Sequence, residues 1–166
     1  MGLDMYLTKE YYVKNWDHYP EDKRWNVQVT QGTDKPQLGT PPIINPAKIS
    51  GITVDVAYWR KSNQIHSWFV RECQNGIDEC QKTSVSVEQL QELLDVVTEV
   101  LKAGTPKKAQ ESLEPAGGFF FGGTDIDEYY WEDLRNTKTM LTEAIAEHER
   151  QVEAGIWVDF YYQSSW

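Results

Sequence analysis

Both ends of the chain alternate like β-strands while the middle repeats like helices, and this constrains the fold more than any other feature. Leu3, Met5 and Leu7 alternate with Asp4, Tyr6 and Thr8, the period-two pattern of a strand with one buried face. Residues 156–162 are β-branched and aromatic and read as a second terminal strand. Between them, Ser86 and Gln89 form a capping box ahead of Leu90, Leu93, Leu94, Val97 and Leu101, with Gly104 as the stop. A later stripe of Ile126, Tyr130, Leu134, Thr137, Leu141, Ile145 and Val152 predicts a further helix, capped by Thr124 or Asp125 and ending at Gly155. Strands at the ends with helices inside predict an α+β fold: one domain over residues 1–166, a largely antiparallel sheet that includes both terminal strands, and about three helices packed on it.

Two more strands are expected. One covers residues 22–30, with Trp25, Val27 and Val29 on one side. The other carries Ile52, Val54 and Val56 and feeds directly into a helix beginning at Tyr58. Residues 31–48 hold four prolines and two glycines and predict a long loop.

The run 58–70, YWRKSNQIHSWFV, is the richest in chemistry. At helical spacing Tyr58, Ile65, Trp68 and Phe69 make one stripe and Trp59, Asn63, His66 and Val70 another, so polar groups stand at the edge of a core. Arg60 and Lys61 are suited to a carboxylate or phosphate, and Asn63 and His66 to a donor–acceptor pattern; Trp59 or Trp68 offers a flat ring. A second candidate is the stretch 117–133, where Phe119, Phe120 and Phe121 are bracketed by glycine pairs ahead of Tyr129 and Trp131. The acids Asp125, Asp127 and Glu128 disfavour a phosphate cradle there and suit the start of a helix. The expected binding residues are therefore Trp59, Arg60, Asn63, His66, Phe120, Tyr129 and Trp131, with Arg60, Asn63 and His66 facing aromatic walls across a pocket.

Catalytic and metal signatures are weaker. His66 with Asp55, Asp125 or Asp127 is the one candidate acid–base pair, acting on a nucleotide or phosphoester, but no hydrolase, zinc-protease or Cys–His pattern accompanies it. Asp4, Asp55 and Asp159 each interrupt an apolar strand and would meet on a hard cation only if the strands brought them to one level; alternation explains them as solvent-facing residues. Cys73 and Cys80 fit no zinc or thioredoxin spacing, so reduced thiols are expected and no cofactor is called for.

Twenty-six acidic residues against sixteen basic ones give a formal charge of −10. Direct duplex binding is disfavoured, since that affinity comes from Lys and Arg on phosphates, and a basic protein patch is the favoured partner. No apolar run reaches membrane-spanning length, and the N-terminus lacks a signal pattern, so a cytoplasmic protein is expected.

Four blocks, GLDMYL at 2–7, YWRKSNQIHSWFV at 58–70, GFFFG at 118–122 and DEYYWED at 127–133, resemble in their order a family of small phage and prophage proteins. The resemblance spans nearly the whole chain and implies no catalytic residue. It implies a host-cell setting in which a small acidic protein counters a bacterial defence by engaging a defence protein, or by sequestering a small nucleotide-type signal.

Overall fold

The computed structural model describes residues 2–27 and 48–166. The chain divides into two units, one of Met1–Glu10 with Thr53–Trp166 and one of Tyr11–Ile52. Most of the predicted 31–48 loop, and residues 28–30 of the strand expected at 22–30, lie outside the described residues. Over 22–27 no strand forms: Glu21–Lys23 is a 3-10 turn. The Asn15 side chain bonds both the N–H and the carbonyl of Trp25, at 2.8 and 2.7 Å, taking the place of a strand neighbour.

Besides the 3-10 turn, the elements in chain order are β1 (Asp4–Tyr12), β2 (Gly51–Arg60), α1 (Asn63–Cys73), β3 (Thr83–Val85), α2 (Val87–Ala103), α3 (Pro106–Ser112), α4 (Glu128–Glu153) and β4 (Val158–Ser165). The antiparallel sheet has the order β2-β1-β4-β3, so the first and last strands are neighbours at its centre, as expected. Val85 pairs with Phe160 and Thr83 with Tyr162. Four α-helices appear among the described residues rather than three.

The core lies between the sheet and the helices. Leu3, Met5 and Leu7 present the inner face of β1; Phe160 and Tyr162 do so for β4. Leu90, Leu93, Val97 and Val100 from α2 meet Leu134, Leu141 and Ile145 from α4 in the same cluster, each stripe burying one helical face. Tyr162 stacks on Phe69 at 4.0 Å between centroids, fastening α1 to β4. The expected caps are present on α2: Ser86 and Gln89 bond reciprocally, and Gly104 takes the left-handed conformation at φ 61°. The α4 cap is Asp127, whose side chain accepts from the Tyr130 N–H at 3.1 Å, rather than Thr124 or Asp125. Val152 falls off the buried stripe and is exposed.

β2 departs from strict alternation. Tyr58 donates to Asp4, and Thr53 donates to Glu10 at 3.4 Å; Asp4 and Glu10 share the outer face of β1, six residues apart. Their partners are five apart, an odd number, so β2 changes face between Thr53 and Tyr58 in the manner of a bulge. After this change Ala57 and Trp59 lie in the core, and Val54, part of the expected apolar face, is exposed. No helix among the described residues is long and apolar enough to cross a membrane.

Candidate functional site

The helix expected from Tyr58 starts five residues later. Aromatic and β-branched residues carry β2 through Arg60, and Lys61 then turns the chain at φ 59°, a left-handed conformation that costs a non-glycine residue about 1 kcal/mol. Two bonds hold it there: the Lys61 N–H donates to the Leu3 carbonyl at 2.8 Å, and the Lys61 carbonyl accepts from the Asn63 N–H at 2.9 Å. The helical stripes drawn through Tyr58 and Trp59 therefore do not exist. Tyr58 lies on the outer face of the sheet; Trp59 lies on the inner face, 3% exposed, donating its indole N–H to Thr137 Oγ1 at 2.8 Å. Trp59 is a core residue and not a stacking plane.

Asn63 is also buried, and its amide is spent on the chain itself. It donates to the carbonyls of Phe121 and Gly123 at 3.0 and 2.8 Å and accepts from the Ala116 N–H at 3.1 Å. These three bonds clamp the glycine-rich segment against α1. Gly122 sits within that segment at φ 89°, and a Cβ there would approach the Lys61 Cβ to 3.3 Å, so conformation and space both call for glycine.

His66, 1% exposed, lies below the surface. Its Nδ1 is 2.8 Å from the Tyr162 hydroxyl and its Nε2 is 2.9 Å from Asp78 Oδ2, while Phe121 packs edge-on against the ring at 5.0 Å. Asp78 also accepts from the Trp166 indole at 3.3 Å. The imidazole thus joins α1, the 74–82 loop and β4, with Asp78 as its carboxylate partner in place of the expected Asp55, Asp125 or Asp127, and it does not line the cleft. Burial drives the Tyr162 hydroxyl well above its ordinary pKa, with Asp78 adding to it, so it stays neutral. Of Phe119, Phe120 and Phe121, the last alone packs on the core; Phe120 stacks with Trp166, and Phe119 is 95% exposed.

A cleft of about 370 Å³ opens between the β2–α1 corner and the start of α4. Arg60, Lys61, Asn63 and Gln64 line it from the corner; Asp125, Asp127, Tyr129, Tyr130 and Asp133 line it from the other side. Of the seven expected binding residues, Arg60, Asn63 and Tyr129 reach it, and Trp59, His66, Phe120 and Trp131 do not. Trp131 is half-buried and turns edge-on to Tyr130 at 5.4 Å. Tyr130 is fixed by donating its hydroxyl to the Leu113 carbonyl at 2.9 Å, whereas Tyr129 is 77% exposed.

Gln64 and Asp133 are two of the lining residues that the sequence did not point to. Gln64 is buried and donates to Asp133 Oδ2 at 3.4 Å, a long bond. Burial pushes the Asp133 carboxyl above the usual carboxylate range, against the lowering pull of Ser62 and Gln64. The Ser62 hydroxyl is fully buried, near enough to Asp133 to act on it yet short of a hydrogen bond to any partner. A signal for Asp133 did exist: it follows Tyr130 by three and precedes Thr137 by four, so a carboxylate stands at the edge of an apolar stripe.

Asp4, Asp55 and Asp159 do not converge. Antiparallel pairing spreads them along the sheet, and no group of three or more His, Cys, Asp or Glu side chains among the described residues is arranged to hold a metal ion. Cys73 and Cys80 are free thiols. Burial, followed by Glu72 and Glu92, pushes the Cys73 thiol up to about 12, which leaves little thiolate at neutral pH. No family model, curated protein or solved structure matches the chain.

Proposed function

We propose that this protein acts by binding, and that its cleft takes up a small polar molecule. The observation that supports this is the meeting of all four sequence blocks at one corner. Leu3 of the first block holds both Lys61 and Phe120 through its backbone; the second and fourth blocks supply most of the cleft lining, and Gly122 of the third adds to it. Asn63 and Asp127 are occupied in holding the backbone, which leaves Lys61, Asp125, Asp133, the Tyr129 ring and Arg60, loosely paired with Asp4 at 3.9 Å, as recognition groups. Mixed charge beside an aromatic wall suits one small ligand with several polar groups. Taken with the resemblance to phage proteins, the reading is sequestration of a small signal made by a bacterial defence system. Native mass spectrometry of protein purified from infected cells is expected to show a bound small molecule that Arg60→Ala releases. An unliganded mass from such cells, together with no binding from a cell metabolite extract, would overturn the reading.

A second reading has its own observation. Glu88, Glu92, Asp95 and Glu99 are exposed on α2 at spacings of four, three and four, a straight row of carboxylates about 16 Å long. Glu99 meets Lys108 at 3.2 Å, and the rest of the row has no cation beside it in the described ion pairs. One charge per ~5 Å is sparser than the ~3.4 Å of a nucleic-acid strand, so the row suits a basic protein patch better than it mimics DNA. On this reading the partner is a defence protein.

A further inference from the structure

Resting on the ligand-binding reading of the cleft, we propose that its ligand is a guanine nucleotide carrying a single phosphate, with the base edge on Asp133, the ring against Tyr129 and the phosphate on Arg60 and Lys61. Three features of the cleft lead to this class. The first is the acceptor at its floor. Asp133 is a half-buried carboxylate on the cleft lining whose one side-chain donor, Gln64, stands at the long distance of 3.4 Å, so it can take a better-placed donor from a ligand. An ionised carboxylate accepts and cannot donate, and it is best met by two adjacent N–H groups. Among the common bases, guanine presents such a pair, at N1 and at the 2-amino group; adenine, cytosine and uracil each set an acceptor beside their donor.

The second feature is the flat wall. Tyr129 stands 77% exposed on the cleft, and aromatic rings so placed stack well on a base. The third is the pair of cations. Arg60, 63% exposed and only loosely paired with Asp4 at 3.9 Å, and Lys61, fixed by its left-handed backbone, supply positive charge from the corner opposite Asp125 and Asp127. A phosphate monoester carries nearly two negative charges at neutral pH, which they match. Longer phosphate chains would carry further negative charge toward Asp125 and Asp127 across the cleft, which favours a single phosphate. A cleft of about 370 Å³ lies in the size range of small-ligand sites.

The decisive experiment is calorimetric titration of the full chain with GMP, IMP, AMP and XMP, repeated on Arg60→Ala, Tyr129→Ala and Asp133→Asn. GMP is expected to bind best, with IMP about tenfold weaker for want of the 2-amino group. Arg60→Ala and Tyr129→Ala, both at exposed positions, should each weaken GMP by about tenfold or more. Asp133→Asn should reverse the base preference from GMP to XMP, because an amide offers one acceptor and one donor, and xanthine offers N1–H beside the O2 carbonyl. That reversal cannot come from loss of folding. A metabolite other than a purine nucleotide that binds and is lost in Arg60→Ala would overturn the guanine assignment while leaving the cleft as a ligand site. GMP binding unchanged in all three variants would overturn the assignment as well, placing the contact elsewhere. If no extract component or purine binds the wild-type chain, the ligand-binding reading itself fails.

Discussion

Asn63 shows how a polar side chain can look like a ligand reader and be structural. Removing its amide leaves the Phe121 and Gly123 carbonyls and the Ala116 N–H without partners. At about 1 kcal/mol or more for each unsatisfied group, Asn63→Ala is expected to lose about 3 kcal/mol in urea denaturation, and His66→Ala a similar amount through Tyr162 and Asp78. Arg60→Ala, at a side chain 63% exposed, should change stability by no more than about 0.5 kcal/mol. Asn63→Ala with unchanged stability would refute the clamp. In the sequence Asn63 and His66 are recognisable as polar groups at the edge of a core. Whether they face a ligand or the chain's own loop depends on partners such as Phe121 and Tyr162, 58 and 96 residues away, which local spacing cannot reveal.

At the scale of elements, the helices with strong stripes and caps, α2 and α4, are legible because local chemistry and burial agree. Ser86→Ala removes one half of the capping box and should cost about 1 kcal/mol, read as a lower urea midpoint with unchanged slope. A midpoint equal to that of the native chain would mean that burial alone fixes the start of α2. α3 escaped notice because it buries a single side chain, Ala109; its marks are Thr105, which accepts from the Lys108 N–H, and Pro106 at the first turn. β3 has three residues and exists through its pairing with β4, a tertiary cause with no local pattern. The misread start of α1 has another origin: Tyr58 and Trp59 fit a helical stripe as well as a strand, and the left-handed turn at Lys61 has no sequence signal because lysine seldom adopts it. That turn also decides the site, since it brings Arg60 and Lys61 to the cleft and sends Trp59 into the core.

At the scale of the whole molecule, the charge of −10 raises the encounter rate with basic surfaces and makes such contacts sensitive to salt. If the α2 row docks a defence protein, pull-down from host lysate should recover that protein at about 50 mM salt, lose most of it near 500 mM, and fail with Glu92→Lys/Asp95→Lys at either. Recovery equal for the variant and the native chain would rule the row out as the contact. The sheet order carries a different consequence. Its two central strands, β1 and β4, come from opposite ends of the described chain, so the inner pair cannot form until residues 158–165 have left the ribosome. Until then Leu3, Met5 and Leu7 lack the β4 neighbours Phe160 and Tyr162. Pairing across so long a separation carries a large loop-closure cost and is slow. Until β4 emerges the nascent sheet has an open edge, and the pairing that closes it also brings Tyr162 to His66 and completes the support beneath the cleft.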